Sequence, residues 1–144
     1  MQMSSLPLAY IGYADGASRH TWHIASATWV IYTPESELFC SRGVFLGTAT
    51  NNVAKYMSVV SLLMEASSRD ISNLVVRLDC QLVIMQLTNH YHICNPTLLR
   101  HYLRVRLLER RFEIITYEHV PQELNTVVNS LPNYVLDWHL SHSL

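Results

Sequence analysis

Apolar residues along the chain fall in short blocks, some alternating as in strands and others recurring at helical spacing. Leu8 to Tyr13 is mostly apolar and stops at Asp15-Gly16, a turn signal, which predicts a first strand. Thr21 to Thr33, rich in Trp, Ile, Val, Thr and Tyr, stops at Pro34-Glu35-Ser36 and is followed by Leu38 to Leu46, interrupted at Arg42-Gly43. Two more strands, joined as hairpins, are predicted there. The period changes at Thr50-Asn51-Asn52, an N-cap cluster, after which Val53, Tyr56, Met57, Val60, Leu63 and Met64 mark a long helix. Leu74 to Leu78 reads as a short strand ending at Asp79-Cys80, and Gln81 to Leu87 as a short helix. Asn95-Pro96 opens a helix to about Arg110, with Asn at the cap and Pro in the first turn. Phe112 to Tyr117 is a fifth strand closed by His119-Val120-Pro121, and Gln122 to Leu131 forms a last helix before Pro132. The predicted architecture is α/β, three antiparallel strands followed by crossover units.

Composition narrows the classes. The 144 residues suffice for one domain with one core, and no repeat or linker divides them. Hydrophobic residues make up 49% and charged residues 15%, well below the roughly 25% of an average domain. Disorder is excluded, and no apolar run approaches the roughly 20 residues that cross a bilayer. A surface short of charge leaves room for a protein partner or a second copy of the chain. The formal charge of -1 excludes a strong overall positive field, so any nucleic-acid contact must be local. Cys40, Cys80 and Cys94 are too few and too widely spaced for a disulfide framework or a paired-cysteine metal knuckle. They read as reduced thiols of an intracellular protein, and Met1 to Pro7 lacks the pattern of a secretory signal.

In α/β sheets the strand ends favour a site. Asp15 and Asp79 end the first and fourth strands, and would meet if those strands are neighbours. Paired acids suit a hard cation such as magnesium, although Asp is also a common turn residue. Four segments then occur in a telling order: Tyr13-Ala14-Asp15-Gly16-Ala17-Ser18, Ala49-Thr50-Asn51-Asn52-Val53-Ala54-Lys55-Tyr56, Leu78-Asp79-Cys80-Gln81-Leu82-Val83 and His119-Val120-Pro121-Gln122-Glu123-Leu124-Asn125. In them the chain resembles the ribonuclease H family, especially the type-1-like domains of plant genomes and gypsy-type retrotransposons. The motif-bearing core covers about residues 8–133 of a single domain spanning 1–144.

The resemblance implies a five-stranded mixed sheet flanked by helices. It also implies four carboxylates holding two magnesium or manganese ions that cut the RNA strand of an RNA/DNA hybrid, one ion activating water and the other stabilising the leaving oxygen. Asp15 and Asp79 match the first and third acids. The second position holds Lys55 instead of Glu, and the fourth holds Asn129 instead of Asp. Four negative charges become a net of minus one. At about 4 Å, unit charges interact by roughly 4 kcal/mol at an effective dielectric near 20, so an ammonium beside a divalent ion is strongly repelled. The expectation is a catalytically impaired domain of retroelement origin that keeps nucleic-acid binding, with weak or no metal at Asp15 and Asp79. The alternatives are an active magnesium-dependent hybrid ribonuclease and a protein-interaction or self-associating module.

Glu65, about 15 Å further along the same predicted helix, cannot replace the missing acid, and Asp137 is a poor substitute for Asn129. Lys55 is the only lysine, and its ammonium either pairs with Asp15 and Asp79 or snorkels to solvent. By resemblance, Thr50, Asn51 and Asn52 touch the minor groove and the 2′-hydroxyls of the RNA strand, while Gly16, Ala17, Ser18 and Gln81 lie near the scissile region. Asn51 or Asn52 could equally cap the helix. Arg100, Arg104 and Arg111 share roughly one helical face, either a phosphate-binding stripe or a solvated face paired with Glu109 and Glu113. His90-Tyr91-His92 with Cys94 lacks zinc-site spacing, and His119 reads as structural.

Overall fold

The computed structural model describes residues 8–19 and 24–125. Its elements are β1 (Tyr10–Arg19), β2 (Ile24–Tyr32), β3 (Leu38–Thr48), α1 (Asn51–Ser68), β4 (Asn73–Leu78), α2 (Gln81–Leu87), α3 (Pro96–Glu109) and β5 (Ile114–His119), followed by a 3-10 turn at Gln122–Asn125. They form a five-stranded sheet in the order β3-β2-β1-β4-β5. The first three strands are antiparallel, and β4 and β5 run parallel to β1, as crossover units require.

Two turn signals yield to sheet pairing. Asp15-Gly16 does not end β1, because Asp15 pairs with Thr28 and Gly16 with Ala27, and the strand continues to Arg19. Arg42-Gly43 likewise lies inside β3, opposite Trp29 and Thr28 of β2. Of the predicted last helix only the 3-10 turn falls among the described residues; residues beyond 125, Asn129 and Asp137 included, lie outside them.

Side-chain size on β1 sets the distance to α1. A Cβ on Gly12 would stand 2.8 Å from the Leu62 methyls, and one on Gly16 would stand 2.2 Å from the Ala54 backbone carbonyl. Together with Ala14 between them, at the strand's period of two, these small residues let α1 lie close on the sheet. Tyr56, Val59, Leu62 and Leu63 of α1 then fill the core against Trp29 and Ile31 of β2, Leu74 and Val76 of β4, and Val83 of α2. At the start of α1 the cap is Thr50, whose Oγ1 accepts from the Val53 amide at 3.2 Å. Asn95 caps α3, its Oδ1 accepting from the Thr97 and Leu98 amides at 2.9 and 3.2 Å. No helix among the described residues is long and apolar enough to cross a membrane.

β3 forms one edge of the sheet, with Leu38, Val44 and Phe45 exposed and Arg42 as its only charged residue. Arg42 leans onto α1, where Glu65 takes its Nε at 2.7 Å and Arg69 Nε at 2.9 Å. Burial raises the Glu65 carboxyl, but the Arg69 hydrogen bond and the Arg42 charge outweigh it and hold the group below its ordinary value of 4.5. On acidification the unfolded chain therefore takes the proton first. The stabilisation is complete above about pH 5 and disappears as pH falls through the native value. Glu65→Gln should flatten the acid limb of stability between about pH 5 and 3, measured by urea denaturation; a limb as steep as in the parent would show that this cluster does not set it.

Candidate active site

β1 and β4 are adjacent and parallel, with Tyr13 opposite Arg77, so the same register carried two residues further brings Asp15 level with Asp79. α1 crosses this point because Gly16 offers no side chain to hold it away. The helix delivers Lys55 between the two acids. Its Nζ lies 2.9 Å from Asp15 Oδ1 and 3.9 Å from Asp79 Oδ1, and also donates to the Gly16 carbonyl at 3.2 Å. Ser58 Oγ donates to the Lys55 carbonyl at 2.6 Å. Of the two readings of Lys55, the ion pair is the one found.

Asp15 is 7% exposed, and the Lys55 side chain 22%. Burial pushes the Asp15 carboxyl above the ordinary carboxylate value, the Lys55 ammonium pulls it back, and the Asp79 charge adds to the rise. For Lys55, burial disfavours the charge, but the charge and hydrogen bond of Asp15, helped by Asp79, outweigh it and hold the ammonium above its ordinary value. Lys55 is therefore charged at neutral pH.

A pair of divalent ions does not fit these residues. The position between the carboxylates is held by an ammonium already bonded to one of them. Among the described residues, no group of three or more His, Cys, Asp or Glu converges as a cation site. Glu65 is committed to Arg42 and Arg69, as its distance along the helix requires. The chemistry the geometry offers is charge compensation within the chain.

The residues expected to touch nucleic acid separate into groups. Gly16 is buried under α1 and acts as a spacer, whereas Ala17 and Ser18 are half-buried and Thr50, Asn51 and Gln81 are exposed. Asn51 does not cap α1. Its Oδ1 accepts from the Ser18 amide at 2.8 Å, while Ser18 Oγ donates to the Ala49 carbonyl at 2.6 Å. This clasp ties β1 to the start of α1. Residue spacing alone does not disclose it, since the bonds span more than 30 positions.

Arg100 and Arg104 are exposed on α3, but Arg111 lies beyond the end of that helix and so does not extend their face. Glu109 does not neutralise them, because it binds Arg106 Nη1 at 2.7 Å and Tyr117 Oη at 2.5 Å. Arg106 turns inward, donates to the Leu87 carbonyl and sits 4.6 Å above the Tyr102 ring. His90 Nδ1 meets Thr88 Oγ1 at 2.9 Å, outside any metal-binding group among the described residues.

Comparison with known proteins agrees with this geometry. Residues 13–135 match the family model described as reverse transcriptase-like. Ribonuclease HI of Halobacterium salinarum is 34% identical over 125 residues, covering 87% of this chain. The chain spans 63% of that relative's length. The crystal structure of RNase H1 from the same archaeon has a TM-score of 0.87 at 32% identity, covering 90% of this chain and 98% of that one. LC11-RNase H1, solved in complex with an RNA/DNA hybrid, has a TM-score of 0.84 at 24% identity, covering 91% and 99%, a likeness of fold. With the family model spanning most of the chain and the two aspartates standing where the sheet brings them together, the chain belongs to the ribonuclease H family.

Proposed function

We propose that this domain binds an RNA/DNA hybrid without cutting it. The observation that carries the reading is the Lys55 ammonium set between Asp15 and Asp79. A divalent ion about 4 Å from that ammonium meets repulsion of roughly 4 kcal/mol for each unit of its charge at an effective dielectric near 20. Displacing Lys55 instead would break its bonds to Asp15 and to the Gly16 carbonyl. Asn129 in the fourth acid position removes another negative charge from the set the family uses. Hybrid recognition draws on different residues. Thr50 and Asn51, exposed at the start of α1, supply short polar groups suited to 2′-hydroxyls, Ser18 and Gln81 stand where the resemblance puts the scissile region, and Arg100 and Arg104 supply exposed charge for phosphates. The name ribonuclease HI, borne by a relative 34% identical, supports the choice of a hybrid as ligand.

The test is a labelled RNA/DNA hybrid incubated with magnesium or manganese, beside an Asp15→Asn protein that exposes any contaminating nuclease. A retarded hybrid of full length is expected. Cleavage that disappears in Asp15→Asn would show that two acids suffice for chemistry, and a hybrid left unbound would remove the binding reading.

A further inference from the structure

The segment joining α2 to α3 lines an open pocket of about 350 Å³, large enough for a small ligand. Its walls are the rings of Tyr91, His92 and Tyr102 with the apolar side chains of Ile93 and Leu99. Two carboxamides, Gln86 and Asn89, complete the lining. Gln86 is 5% exposed, and its Oε1 accepts from Tyr56 Oη at 2.6 Å. Asn89, held at a φ of 64°, accepts through Oδ1 from Tyr102 Oη at 2.9 Å and from Arg106 Nη2 at 3.2 Å. Both oxygens are thus taken by donors of the protein. Each side chain keeps an NH₂ group that none of these bonds uses, so the cavity offers donors and aromatic faces and calls for a flat ring carrying acceptors.

We propose that this cavity takes an unpaired nucleobase bearing ring carbonyls, uracil being the simplest. Uracil's two carbonyl oxygens answer the Gln86 and Asn89 amides while its face lies on an aromatic ring. As a strand-binding element the pocket rests on the hybrid reading: a single-stranded extension of the hybrid would place a base there. A free pyrimidine nucleoside offers the same chemistry.

Two measurements separate these sources. In the first, uridine and adenosine are titrated into the ¹⁵N-labelled protein while the Gln86 and Asn89 side-chain amide signals are followed. Uridine should shift both, and more than adenosine, which has no ring carbonyl. In the second, a blunt hybrid is compared with one carrying a uridine-rich overhang. Stacking of one base on an aromatic ring should make the overhang tighten binding about tenfold. Tyr91→Ala, in an exposed position, and His92→Ala should abolish that gain while leaving the blunt hybrid unaffected. Shifts with uridine but no overhang gain would assign the pocket to the free nucleoside. No shift and no gain, with the blunt hybrid still bound, would overturn the pocket alone. If the blunt hybrid does not bind, the hybrid reading fails, and the uridine titration still decides the pocket.

Discussion

Lys55→Met is expected to destabilise the domain by about 2–3 kcal/mol, towards the lower end of what breaking a buried ion pair costs, because the lysine side chain keeps some contact with water. The loss comes from what remains. Asp15, nearly buried, would face Asp79 with no intervening positive charge, and burial already pushes its carboxyl up. Adding Asp15→Asn removes the stranded charge, so the double variant should be more stable than Lys55→Met alone, giving a non-zero coupling in a double-mutant cycle. Urea denaturation of the four proteins near neutral pH measures this. A loss below about 0.5 kcal/mol for Lys55→Met, within the range of ordinary surface changes, would mean that the ammonium contributes nothing beyond a solvated charge. The same protein gives an independent reading of metal compatibility. With the ammonium gone, magnesium should raise the melting temperature of Lys55→Met more than that of the parent.

Gly16→Ala should cost about 3 kcal/mol or more, the upper range for overpacking. The new carbon would lie 2.2 Å from both the carbon and oxygen of the Ala54 carbonyl and 2.6 Å from the Lys55 amide nitrogen. These atoms belong to the helix backbone, so α1 itself would have to lift, taking Lys55 away from Asp15. Gly12→Ala makes the instructive comparison, because its nearest neighbours at 2.8 Å are the terminal methyls of Leu62, which can rotate. Its cost should be nearer 1 kcal/mol. Thermal melts that rank the two variants in the opposite order would show that Gly16 does not set the helix-to-sheet distance.

The parts of this fold legible in the sequence are those with local causes. The α1 and α3 caps follow from Thr50 and Asn95-Pro96, and the core stripe of α1 from its helical spacing. Asp15, Lys55 and Asp79 were identifiable because motif segments fix their register, and parallel pairing of β1 with β4 brings the two acids level. What stayed hidden depends on long-range pairing. Asp15-Gly16 has the chemistry of a turn, yet its partners across the sheet keep it extended. The spacing that put Arg111 in line with Arg100 and Arg104 assumed a helix continuing past Glu109, where α3 stops. The α2–α3 cavity has no signature either, since Gln86 and Asn89 owe their orientation to Tyr56, Tyr102 and Arg106, residues distant in the chain.

Among the described residues β3 stands at the edge of the sheet, and an edge strand is where copies of a sheet pair at high concentration. It is eleven residues long, and Arg42, its one charged residue, is paired with Glu65 of α1. Natural edges are commonly blunted by charge or proline; this one has no proline and a single charge. Val44→Lys, which adds an outward charge at an exposed position of this strand, is the substitution that would guard against edge-to-edge aggregation.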